Sequence, residues 1–277
     1  MFSVEFMRNA LLAGTFVALA CGVGGWFLVL RGQIFAGDAL SHVAFPGALA
    51  AAAAGIDERI GLFAATVAVG AGIGALGRGA LARGGPTSKA TRAGEDAAIG
   101  TVFTFILALG VFFLTRLSTS AAGGSGIQGA RTLFGSIFGL GAGEARLAAV
   151  IALAATLLTV AIARPLLFAS VAPDVAAARG VPTRLLDVGF AALVGVVAAE
   201  ATQAVGALLL LGLLTAPAAA AHRIARNPYG GVALAALFAL AAMWGGLVLA
   251  YAVPSLPPST AIVGIAVGVY YASRILT

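Results

Sequence analysis

Apolar runs of about twenty residues follow one another along almost the whole chain, and they constrain the fold more than any single motif. A helix rises about 1.5 Å per residue, so some twenty apolar residues cross the ~30 Å hydrocarbon layer of a bilayer. Nine such segments are legible, at about 10–30, 35–55, 60–77, 96–115, 146–163, 187–202, 204–221, 231–251 and 259–275. Only 9% of the 277 residues are charged and 61% are hydrophobic, whereas a soluble domain is roughly 25% charged. The expected fold is an all-α polytopic membrane protein, a single transmembrane domain over residues 1–277 with its outer faces in lipid. The N-terminal "MFSVEFMRNA" has Glu5 ahead of the first run and no small-residue cleavage site, and so does not read as a signal peptide.

Basic residues between the runs set the expected orientation. Segment 78–94 carries Arg78, Arg83, Lys89 and Arg92; segment 164–186 carries Arg164, Arg179 and Arg184; segment 222–228 carries His222, Arg223 and Arg226. Alternating spans put all three on one face, together with Arg31 and Arg274. The positive-inside rule makes that face cytoplasmic, with the C-terminus inside and the N-terminus outside. Should the first run not cross fully, the count becomes eight and the N-terminus moves inside. These flanking residues account for the net charge of +6 without a nucleic-acid partner. The pair 187–202 and 204–221 is separated by little more than "EATQAVG". The stretch 132–143, "TLFGSIFGLGAG", is too short to span and reads as a surface or re-entrant helix.

Small residues set the expected packing. The pairs Gly70/Gly74, Gly135/Gly139 and Gly264/Gly268 have the small-xxx-small spacing that lets membrane helices approach closely. The sole cysteine, Cys21, lies mid-run, cannot form an internal disulfide, and reads as a small packing residue.

The polar exception is "GDALSHVAFPG", residues 37–47. Asp38 and His42 are four apart and share one helix face, with Ser41 off that face. With Arg31 at the cytoplasmic edge, His42 lies about 15 Å deep. Intramembrane ionisable residues are costly and usually face a pathway or cavity. One reading is a buried hydrogen bond bracing the bundle. The other is a transition-metal site, since imidazole with carboxylate suits Mn, Zn or Fe(II). One chain supplies two ligands; a second copy across a two-fold axis would complete four. Pro46, one turn on, frees the carbonyl of His42.

Outside the spans, "APDVAAARGVP" (172–182) has Pro173 fitted to a first helical position and Asp174 to the N-terminal dipole. Arg179 suits the C-terminal end, and Gly180 and Pro182 close the unit. It reads as a two-turn helix, either mere loop structure or a docking knob for a cytoplasmic partner. Glu95 and Asp96 read as helix N-terminal acids or as a cation-attracting exit. Glu200 and Gln203, at the outer ends of two runs, read as interfacial or as a metal relay. His222 reads as a solvated residue of a basic loop. No phosphate-binding loop exists, because the sole lysine, Lys89, follows Ser88. No Ser-His-Asp or HExxH arrangement is present, and the two histidines cannot furnish a zinc-protease site.

The blocks "VLRGQIFAGDALSHVAFPGALA", "GEDAAIGTVF", "TLFGSIFGL", "APDVAAARGVPTRLLD" and "VGALLLLGLLTAPAAAA" resemble, in this order, the zinc/manganese/iron permeases of ABC importers (the ZnuB and MntB type). The resemblance runs from about residue 9 to 275. It implies a type II importer-like permease bundle in a prokaryotic cell (inner) membrane. It also implies a homodimer, two cytoplasmic ATPase subunits that hydrolyse ATP, and an extracellular metal-binding protein that delivers the ion. The chain itself would be no enzyme and hold no permanent cofactor. The family's metal ligands would fall on Asp38 and His42, and its coupling helix on about Pro173 to Gly180. Glu200 departs from the uncharged residues expected there, and the outer loop "STSAAGGSGIQGA" is longer than typical. An ion-coupled secondary transporter is the rival class, with Asp38 and His42 relaying protons. It should show inverted repeats, and no second GDALSH-like segment is present. A metal-chelate permease would need a wide polar path, for which there are few polar residues.

Overall fold

The computed structural model describes residues 4–81, 89–119, 135 and 137–276. Among these there is no β-strand. Eleven α-helices follow in order: α1 Glu5–Leu30, α2 Ile34–Ala53, α3 Glu58–Leu81, α4 Lys89–Thr119, α5 Ala142–Ala161, α6 Ala163–Val171, α7 Pro173–Ala178, α8 Thr183–Val205, α9 Ala207–Ile224, α10 Pro228–Ala252 and α11 Pro258–Leu276. Each of the nine apolar runs thus has a long helix under it. By length and composition, six of the described helices suffice to cross a membrane: α1, α2, the Glu58–Ala75 part of α3, α5, α8 and α10. Within α4 and α9 the shorter apolar stretches are Gly100–Arg116 and Leu210–Ile224.

Several local readings are corrected. Among the described residues of the stretch 132–143 there are a 3-10 turn, Ile137–Gly139, and the start of α5 at Ala142; residues 132–134 and 136 lie outside the described residues, as does most of the outer loop at 118–130. The segment 164–186 holds not only the short helix expected within 172–182, α7, but also α6 ahead of it. Gly206 alone separates α8 from α9, with φ +92 and ψ 153, a backbone conformation that glycine adopts without a Cβ penalty. Asn227 caps α10, its side chain accepting from the Gly230 N–H at 2.6 Å.

The chain divides into two compact units. The first comprises Met1–Ile34, Ala130–Ala161 and Glu200–Thr277. Within it α1 is central, packed by α5, α9 and α10, while α9, α10 and α11 pack on one another. Glycine brings the backbones together: a Cβ on Gly22 would lie 2.6 Å from the Cα of Ala236. Two polar links tie α1 to its neighbours: the Trp244 indole N–H of α10 donates to the Thr15 hydroxyl (2.9 Å), and the Asn9 amide to the carbonyl of Leu140, between the 3-10 turn and α5 (3.4 Å). Cys21 is a buried free thiol, as its packing role requires.

The second unit comprises Phe35–Gly129 and Ile162–Ala199. Here α3 and α8 meet backbone to backbone. A Cβ on Gly70 would sit 2.5 Å from the Ala191 carbonyl oxygen, one on Gly74 2.7 Å from that of Asp187, and one on Gly195 2.5 Å from that of Thr66. The Gly70/Gly74 pair therefore acts as its spacing predicts. The other two pairs do not. Gly135 has a left-handed φ of +74 and Gly139 ends the 3-10 turn, so they share no helix face. A Cβ on Gly264 or Gly268 would meet nothing within 4 Å.

Candidate metal site and docking helix

Helix α2 buries most of its surface, including Ala36, Gly37, Ala39, Leu40, Val43 and Ala44. Between Ala36 and Leu49 the side chains left partly open are Asp38, His42 and Phe45, which with the exposed Phe35 fall in one stripe at spacings of three and four. Asp38 and His42 retain 33% and 23% of their side-chain surface. Oδ1 of Asp38 lies 3.8 Å from Nε2 of His42, too far for a hydrogen bond. A divalent ion binds imidazole nitrogen and carboxylate oxygen at about 2.0–2.2 Å. Two atoms 3.8 Å apart therefore lie within reach of one ion. The buried Ser41 hydroxyl donates instead to the Asp38 carbonyl at 2.6 Å, which takes it out of the site. His42 stands about 12 Å along α2 from its start, and the helix continues through Pro46 to Ala53.

Helix α4 flanks this stripe. The Phe103 ring lies 5.4 Å from the His42 imidazole, tilted by 52°. Two turns later the absence of a side chain on Gly110 makes room for Pro46: a Cβ there would sit 2.8 Å from the proline Cγ. His42 and Pro46 share a face of α2, and Phe103 and Gly110 share one of α4. Both contacts advance in the same chain direction, so α2 and α4 run parallel where they meet. Sequence reasoning missed Phe103, for nothing local distinguishes it from the other phenylalanines of its run. Among the described residues no cluster of three or more His, Cys, Asp or Glu forms.

At 173–178 the structure has the short helix the sequence implied. Pro173 opens it, Asp174 lies in its first turn and Arg179 follows its last residue. Gly180, at φ +78, donates to the Ala177 carbonyl and Val181 to that of Ala176, both at 3.0 Å. This paired closure requires a left-handed residue after the helix, which explains the glycine. Ala176 is fully buried, whereas Val175 (51%) and, nearby, Val171 (69%) and Leu185 (70%) are exposed.

Three further readings change. Glu95 and Asp96 lie past the first turn of α4, which begins at Lys89, so neither is at the helix N-terminus. Glu200 is buried, 1% exposed, and Gln203 only partly exposed, so neither stands at an open interface. His222 is not a solvated loop residue: α9 extends to Ile224, and the imidazole stacks on the Trp26 indole at 4.7 Å and 9°. Its Nε2–H donates to the Trp26 carbonyl at 2.9 Å.

The sequence model of the ABC 3 transport family matches residues 3–277. The chain belongs to that family. Its relatives include the manganese transport system membrane protein MntC of Halalkalibacterium halodurans, 30% identical over 247 residues, covering 89% of this chain and 79% of the relative. The chelated iron transport system membrane protein YfeD of Yersinia pestis is 29% identical over 227 residues, 82% of this chain and 70% of its own. Among solved structures, PsaBC of Streptococcus pneumoniae in complex with a Fab superposes with a TM-score of 0.79 at 26% identity, over 98% of this chain and 91% of that one. The chain is accordingly a multi-pass membrane permease subunit of the ABC type and not itself an enzyme.

Proposed function

We propose that the chain is the permease of a divalent transition-metal importer and that Asp38 and His42 form its transient metal site. The observation that carries this reading is the open stripe of α2. The one ionisable pair on that helix lies there, with Oδ1 and Nε2 separated by 3.8 Å. Desolvating two such groups is costly unless a partner offsets it, and a cation between them does so. A second copy across a two-fold axis supplies the other Asp38 and His42, giving a four-ligand set suited to Mn, Zn or Fe(II). The relatives' manganese and iron transport supports this substrate class. A weak, shared site also suits transport, which must accept an ion and then release it.

In the same reading residues 1–277 act as one permease domain with eight or nine spans in a prokaryotic cell membrane, the C-terminus cytoplasmic. An extracellular metal-binding protein delivers the ion. Two ATPase subunits dock on Pro173 to Gly180, and their ATP-driven closure moves the bundles between outward- and inward-open states. The exposed Val175 beside the buried Ala176 supports docking, because a short helix with one anchored face offers its other face to a partner.

The test is metal uptake in cells expressing the chain with candidate ATPase and binding-protein partners. Asp38→Ala, His42→Ala and a hydrolysis-dead ATPase should each abolish uptake at unchanged membrane levels. Competition among Mn, Zn and Fe(II) then identifies the cargo. Uptake that survives the dead ATPase but collapses with a protonophore would assign the pair to an ion-coupled carrier.

A further inference from the structure

We propose that Phe103 is the positioning residue for the His42 imidazole, holding the ring in the orientation in which it binds a divalent cation. The inference rests on the reading of Asp38 and His42 as ligands. A ligating imidazole presents its lone pair in the ring plane, so the ring must be held to within about 10–20° of the productive direction. Metal-binding histidines usually achieve this by donating the second ring N–H to a carboxylate or carbonyl. Among the described residues His42 has no such tether: its nearest acidic atom, Oδ1 of Asp38, is 3.8 Å away and belongs to the other ligand. The ring is instead faced by Phe103 at 5.4 Å and 52°, inside the range of about 4.5–7 Å at which aromatic rings orient one another.

The surrounding helix fixes that contact. Thr101, Val102, Thr104 and Phe105 of α4 are exposed, whereas Phe103 is partly covered and Gly110 buried on the face toward α2. The approach of Gly110 to Pro46 pins α4 against α2 and presents Phe103 to His42. An aromatic brace also differs from a hydrogen bond in what it does for a transient site. It orients the imidazole only while α4 stays against α2, so movement between the helices loosens the ligand with no buried polar group left unsatisfied.

The experiment uses the full-length chain co-expressed with its ATPase, in lipid nanodiscs, with Mn(II) alone as the probe. Histidine occurs twice in the sequence, so 15N-histidine labelling of the chain in a His222→Asn background, reassembled with ATPase from unlabelled cells, leaves His42 as the labelled imidazole of each copy for pulsed EPR. Phe103→Ala should weaken Mn(II) binding about tenfold, the lower bound for loss of an orienting partner, and remove the 15N modulation. Phe103→Leu keeps the apolar bulk of the helix contact and should shift both readouts the same way. Phe103→Tyr should restore them, and Phe105→Ala on the exposed face should leave them unchanged. Full affinity with full modulation in both Phe103→Ala and Phe103→Leu overturns the proposal. So does weaker binding with undiminished modulation per bound ion, which marks a diffuse structural effect. Bound Mn(II) that shows no 15N modulation with Phe103 intact overturns the ligand reading itself, before any Phe103 variant is compared.

Discussion

Gly110 faces Pro46 so closely that a Cβ on the glycine would lie 2.8 Å from the proline ring. This contact joins α4 to the helix that carries Asp38 and His42. Proline there leaves the His42 carbonyl without its intrahelical donor, and glycine opposite lets the helices close over the irregular turn. Gly110→Leu forces side-chain bulk into that space, a change that typically costs about 1–3 kcal/mol. The expected outcome is a lower melting temperature of the purified protein and loss of metal binding. Gly110→Ala should show the same direction at smaller amplitude.

The contact between α3 and α8 yields a contrast within one sequence signal. Gly70, Gly74, Gly264 and Gly268 look alike in the sequence, yet only the first two touch another helix backbone. Gly70→Leu or Gly74→Leu should abolish folded protein in the membrane, since carbonyl oxygens at 2.5 and 2.7 Å cannot move aside as a side chain can. Gly264→Leu and Gly268→Leu should leave the level and thermal stability of the chain unchanged. Fluorescence-detected gel filtration of the four variants decides it.

His222 joins the C-terminal ends of α1 and α9 by stacking on Trp26 and donating to its carbonyl. An aromatic pair contributes about 0.5–1.5 kcal/mol and a hydrogen bond about as much again. His222→Ala should therefore lower stability by roughly 1–3 kcal/mol while uptake per folded molecule stays at the wild-type value. A proportionate loss of uptake would place His222 in transport instead.

On the proposed docking role of α7, Val175→Asp should release the ATPase subunit while leaving Mn(II) binding intact. Loss of a central apolar anchor costs on the order of 2 kcal/mol, about thirtyfold in affinity. Co-purification read against Mn(II) binding separates this outcome from misfolding. Retained co-purification and retained uptake would remove the docking role.

Much was legible in the chain alone, because its signals are local. Hydropathy over twenty residues gives the long helices, and a four-residue spacing puts Asp38 and His42 on one face. Proline, aspartate and glycine at their end positions give α7. Family membership, too, is written in contiguous blocks. What the sequence left open is nonlocal. Nothing near residue 103 indicates that Phe103 meets an imidazole 61 positions earlier, or near residue 222 that His222 meets Trp26, 196 positions away. The reason is that glycine spacing and aromatic content permit close approach without specifying a neighbour. Which glycines take a backbone, which phenylalanine covers His42 and which histidine is tied down are settled only when the helices pack, since each depends on the distance between two segments that the chain order does not fix.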